Sequence, residues 1–187
     1  MQRVLLIFAF VLVCASASAQ TGAGGFVYRK DHAYFLEAPK GWVMDSGDAA
    51  KQSLGAVFHP AKAHWPESGV IIYTGSYERN PSLQTPSDAM RGDVALFRHE
   101  GSSVHPLKKP SIKTNLGGLS GEVYHWGPDQ LGQFDARAYF AYKGYIDYFV
   151  LTARDRVTFE RSLSAFEHIV RSYAPQIKVI HDAPKKT

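Results

Sequence analysis

The sequence predicts an α+β fold in which an antiparallel β-sheet is flanked by helices on both faces, an α-β-α sandwich. Three observations predict it. First, Phe134, Ala136, Ala138, Phe140 and Tyr142 alternate with Asp135, Arg137, Tyr139, Ala141 and Lys143, the period of a strand with two different faces. Second, Lys143-Gly144 breaks the run and Tyr145 to Thr152 resumes it, so the two arms form a hairpin, with Gly144 expected to take the positive φ of a tight turn. Third, Phe159, Leu163, Phe166, Val170 and Tyr173 recur at steps of four, three, four and three, one apolar stripe of a helix. The wider order is strands, helix, strands, helix, an antiparallel meander between two helices.

Two hairpin registers are open. A two-residue turn pairs Ala136 and Ala138 with Leu151 and Phe149. A glycine bulge shifts the pairing by one and sets Val150 and Tyr148 on the alanine face. The second is preferred, because the first buries Asp147 opposite Phe140, where an unpaired carboxylate is costly. In both, each face of the second arm is apolar and must be covered or bind something.

The other elements follow in chain order. Arg3, the apolar run Val4 to Val13 and Ala17-Ser18-Ala19 form an export signal over residues 1–19, with cleavage expected after Ala19. The run is too short to span a bilayer. Residues 20–25 read as a flexible start, 26–180 as one domain and 181–187 as a disordered tail. Strands are expected at Phe26 to Tyr28, at Tyr34 to Glu37, and at Trp42 to Met44 after the turn Ala38-Pro39-Lys40-Gly41. Asp45 to Gln52 reads as polar turn; Leu54 to His59 and Gly69 to Tyr73 read as strands and Gly75 to Gln84 as a loop. Thr85-Pro86-Ser87-Asp88 opens a helix with a capping box and a proline in the first turn. Its apolar face is Met90, Val94 and Phe97, and Gly101 ends it. Ser103 to Thr114 carries Pro106 and Pro110 and is at best an edge strand. Leu119 to Trp126 alternates as a strand. Asp155 caps the last helix, Pro175 stops it, and Ile177 to Ile180 adds a short edge strand.

Composition narrows the chemistry. Cys14 is the only cysteine and leaves with the signal, so the mature chain has no disulfide, thiolate nucleophile or cysteine metal site. The formal net charge is +4, but the cations are scattered among acids apart from Lys108-Lys109 and Lys185-Lys186. No basic run with interleaved aromatics points to nucleic acid. A secreted or periplasmic bacterial protein is the expected setting.

Ala38-Pro39-Lys40-Gly41-Trp42 after an aromatic strand, Tyr148 to Leu151 in the hairpin and Ser172-Tyr173 at the last helix end together resemble the Mog1/PsbP-like family. The resemblance covers most of residues 26–174 in element order. It implies an α-β-α sandwich and an accessory, non-catalytic role, and it transfers no catalytic residue.

Candidate sites are few. His59, His64 and Glu67 could hold a zinc ion if the loop after Pro60 folded back. No His-Glu-x-x-His or Gly-x-Ser-x-Gly pattern occurs. Tyr124, His125 and Trp126 form a strand segment in which His125 or Asp129 could serve as the polar handle of an aromatic pocket. Glu122, Asp129, Asp135 and Asp147 read as solvent-facing. The chain is 13% aromatic, and Tyr142 and Tyr145 stand at the hairpin tip, where tyrosine suits a half-wet interface. The expected function is an exported, non-enzymatic accessory or binding domain with a protein or envelope partner and no cofactor. The alternative is a small-ligand or metal-binding domain, with a hydrolase as one form of it.

Overall fold

The computed structural model describes residues 23–29, 31–64 and 67–177. The expected signal at 1–19 and tail at 181–187 lie outside the described residues. In chain order the elements are β1 (Gly24–Tyr28), β2 (His32–Glu37), β3 (Trp42–Asp45), α1 (Gly47–Lys51), β4 (Val57–Pro60), β5 (Val70–Glu78), α2 (Pro86–His99), β6 (Leu107–Lys113), β7 (Ser120–Trp126), β8 (Phe134–Tyr142), β9 (Tyr145–Ala153), α3 (Arg156–Ser172) and β10 (Ala174–Ile177).

The expected single sheet is two. Seven strands run β3-β4-β5-β9-β8-β7-β6, and β1-β2-β10 form a separate three-stranded sheet; every pairing in both is antiparallel. Gly24 and Gly25, read as part of the flexible start, belong to β1. Pro175 lies in β10, an edge strand, where its missing N–H breaks no ladder. β10 begins three residues earlier than the expected edge strand at Ile177.

The hairpin takes the two-residue register, not the bulged one. Ala136 pairs with Leu151, Ala138 with Phe149, Phe140 with Asp147 and Tyr142 with Tyr145. Lys143, not Gly144, carries the left-handed backbone, at φ 50°. The objection to this register was a buried, unpaired Asp147. Asp147 is buried, but it is fully partnered, so the objection falls.

β5 is longer than expected. Gly75 reads as a loop signal, yet the strand continues to Glu78. Gly75 stands opposite Tyr148, and a Cβ there would lie 2.2 Å from the Tyr148 ring. The glycine makes room for an aromatic on the neighbouring strand and does not mark a turn. The stretch read as polar turn at 45–52 contains the short helix α1.

Both long helices begin as their caps predict. Thr85 accepts from the Asp88 N–H while the Asp88 carboxylate accepts from the Thr85 N–H, a complete capping box. Asp155 accepts from the Thr158 N–H. Alternate residues of β8 enter two cores. Ala136, Ala138 and Phe140 pack with Phe149, Leu151, Tyr34 and Leu36, and with Phe166, Ile169 and Val170 of α3. Tyr139 packs with Tyr124, Trp126 and Ile146, and with Ala89 and Val94 of α2. β2 and α3 thus share a core with the large sheet.

The second core contains a buried ion cluster. Arg137 Nη1 lies 2.6 Å from Asp93 Oδ2 and Nη2 lies 2.9 Å from Asp135 Oδ2. Tyr139 and Tyr77 donate to the two Asp93 oxygens at 2.6 and 2.7 Å. The guanidinium also stacks over Trp126, 4.5 Å from its ring centre. Asp135 is therefore buried, not solvent-facing. The cluster ties α2 to the middle of the sheet.

Candidate functional site

A depression of about 510 Å³ opens where the two sheets meet at the hairpin end. Tyr28, Arg29, Asp31 and His32 come from the β1–β2 turn region, Ser76 and Glu78 from β5, and Tyr145 from β9. Tyr145 lies flat on His32, with ring centres 3.9 Å apart, and its hydroxyl donates to Asp31 at 3.1 Å. Burial, and then the Asp31 contact, raise the Tyr145 phenol above its usual range. Tyr28 is 71% exposed across the depression. The turn below is held by Arg79, whose N–H and Nη1 donate to the Gly144 and Lys143 carbonyls at 2.8 Å. Tyr142 sits beside it under the Lys143 ammonium, 5.4 Å from the ring centre.

Under this floor Asp147 collects three donors. His32 Nε2 lies 2.9 Å from Oδ1, Ser76 donates to Oδ1 at 2.5 Å, and Tyr173 donates to Oδ2 at 2.5 Å. A carboxylate only accepts, so His32 carries its proton on Nε2. Burial, and then the Asp147 charge, push the Tyr173 phenol far up. Tyr34 beside it is raised for the same two reasons, and its hydroxyl meets Thr74 at 2.9 Å.

Serine, histidine and aspartate thus meet, but they are not wired as a hydrolase triad. In a triad the serine bonds one imidazole nitrogen and the acid the other, so a proton can cross the ring. Here Ser76 Oγ (3.3 Å) and Asp147 Oδ1 both face Nε2. Nδ1 is buried without a partner among the described residues. The serine proton goes straight to the carboxylate, which leaves the imidazole no role as its base. The arrangement is a clasp: it joins β2 of the small sheet to β5 and β9 of the large one and to the end of α3.

Sequence reasoning singled out Tyr145 and Tyr142 but missed His32, Ser76 and Tyr173. His32 lies 115 residues and Ser76 lies 71 residues from Asp147. No local spacing could reveal them; a carboxylate on an apolar strand was the one available signal.

The second predicted segment splits between two faces. Tyr124 and Trp126 are buried in the α2 core. His125 points the other way, edge-on to Phe159 of α3 with ring centres 5.4 Å apart. Burial first, and then Lys109, lower its pKa to about 4, so it is neutral at pH 7. Asp129 does not act as a polar handle beside it: its side chain accepts from the Leu131 and Gln133 N–H groups at 2.8 and 2.9 Å and shapes the loop.

His59, His64 and Glu67 are not brought together as a ligand set. His59 is buried in β4, its Nδ1 3.1 Å from the Pro60 carbonyl. His64 and Glu67 are exposed and share a backbone turn, Glu67 N–H to the His64 carbonyl. Among the described residues no three His, Cys, Asp or Glu side chains are grouped to hold a metal. No helix among them is long and apolar enough to cross a membrane.

No protein-family model matches the chain, and no curated protein matches it. Among solved structures it is similar to cyanobacterial PsbP (CyanoP) from Synechocystis sp. PCC 6803, in a solution structure. The TM-score is 0.55 at 14% identity, over 86% of this chain and 96% of that one. At that identity the likeness concerns architecture: this chain has a PsbP-like fold, built of antiparallel sheets and helices.

Proposed function

We propose that this protein is an exported, non-enzymatic accessory or binding domain on an α-β-α sandwich of the Mog1/PsbP type. It engages a protein or envelope partner through the hairpin end, where Tyr142 and Tyr145 lie. The observation that carries the reading is the wiring of Ser76, His32 and Asp147. Among the described residues, the place where serine, histidine and aspartate meet joins two sheets. The surface above it offers Tyr28 and Tyr145 between Asp31, Glu78 and Arg29, amphipathic rings with charges at the rim, as interfaces use. The packing of Ala89 and Val94 against Tyr139 and of Phe166 and Ile169 against Ala138 supports helices on both faces of the large sheet.

The test is a photo-crosslinker placed at position 28 of the exported protein, compared with the same probe in a Tyr142→Ala, Tyr145→Ala background. A specific crosslinked partner that disappears in the double variant, at an unchanged circular dichroism spectrum, is the expected result. Because Tyr145 also covers His32, Tyr142→Ala alone is measured beside it. Capture undiminished in both variants refutes the hairpin end as the contact.

A further inference from the structure

A second surface, between α3 and the β6 edge, has the chemistry of a small-molecule groove. Between α3 and the β6 edge run two adjoining hollows of about 460 and 280 Å³, which share Lys109, His125 and Leu163. The apolar floor is Leu107, Phe134 and Phe159 in the first and Ile112, Val123 and Phe166 in the second. Leu107 is 59% exposed although it faces this groove.

The charges decide what could lie there. Along α3, Arg156 pairs with Glu160 at 3.3 Å and Arg171 with Glu167 at 3.9 Å. Lys109, at the junction of the hollows, has no carboxylate partner among the described residues. His125 beside it is neutral at pH 7 and can donate one hydrogen bond. The junction therefore presents one free cation and one neutral donor over an apolar channel.

The edge itself argues against an added peptide strand. Pro110 has no N–H, and the β6–β7 register shifts between Lys109 and Ile112. A proline and a bulge at mid-edge deny a partner strand its ladder. An occupant without a backbone, apolar along its length and anionic at one end, fits the groove better.

We infer that the α3–β6 groove binds an acyl-chain anion, its head group on Lys109 and His125 at the junction and its chain along Leu107, Phe134, Phe159 and Leu163 of the larger hollow. The head could be a free carboxylate or the phosphate of a single-chain lipid, both of which Lys109 can pair with. This surface is separate from the hairpin end, so its fate does not bear on the partner reading.

Isothermal titration with dodecanoate, dodecanol, dodecyltrimethylammonium and lysophosphatidylglycerol tests it. Dodecanoate or lysophosphatidylglycerol should bind, and the tighter of the two names the source of the head group. Dodecanol should bind more weakly and the cation not at all. Lys109→Gln should weaken the anions roughly tenfold, the loss of one hydrogen bond to a charged group, and leave dodecanol unchanged. Leu163→Gln, half-buried at the groove floor, should weaken all of them. Equal affinity for all four probes, anion binding unaffected by Lys109→Gln, or no binding overturns the inference. Adsorption only to phosphatidylglycerol vesicles, with no monomer binding, overturns it too.

Discussion

A single carboxylate joins the two sheets to the end of α3. Asp147 is 1% exposed and holds donors from β2, β5 and the end of α3. Asp147→Asn keeps the shape but replaces one accepting oxygen with an NH2 donor that faces donors. The expected loss is roughly 2–4 kcal/mol, the cost of leaving buried donors unpaired. For a chain of this size that lowers Tm by roughly 2–4 °C per kcal/mol, which a thermal melt reads. Arg137→Met should cost about 3–5 kcal/mol, because it strands Asp93 and Asp135 as buried charges. A triple variant that also makes Asp93→Leu and Asp135→Leu should recover part of it. His125 supplies a pH effect. Its folded pKa, about 4, lies below the ordinary value of 6.5, so the folded state favours the neutral ring. Its contribution is complete above pH 6.5 and is lost as pH falls toward 4. His125→Phe should flatten the Tm–pH curve between those values relative to the parent; an unchanged difference there contradicts the assignment. Of these residues the sequence flagged His125 through its aromatic neighbours. It did not flag Asp93 or His32, whose partners lie on other elements: Asp93 meets Tyr77, Arg137 and Tyr139 across the sheet.

Elements were legible where the determinants are local. The capping box at Thr85 and Asp88, the Asp155 cap and the α3 stripe each lie within a few residues, and both helices start where those signals stand. Features that depend on what packs above were not. Gly75 looks like a turn until Tyr148 is placed over it. The hairpin register is not legible locally for the same reason, since the partners of Asp147 are remote in sequence. That register makes its own prediction. Lys143 holds φ 50°, a strained conformation for a long side chain that Asn tolerates better. Lys143→Asn relieves that strain and should stabilise by roughly 0.5–1 kcal/mol. A loss of stability from this change would speak for a different turn.

At the scale of the whole molecule, two antiparallel sheets and α3 share one core, and the clasp at Asp147 closes one end of it. The sequence carried the α+β class and the element order, but it did not separate β1, β2 and β10 into their own sheet. That division depends on β10 returning to pair with β2, Ala174 opposite Phe35 and Gln176 opposite Ala33, a long-range pairing with no local trace. The non-enzymatic reading rests on the geometry of Ser76, and a fluorophosphonate probe followed by peptide mass spectrometry measures it most directly. Ser76 donates to Asp147 and has no imidazole base in line, so the folded protein should show no adduct at Ser76 after prolonged exposure. A stoichiometric adduct on Ser76, lost in His32→Gln, would mean that His32 does activate the serine and that the molecule is a hydrolase.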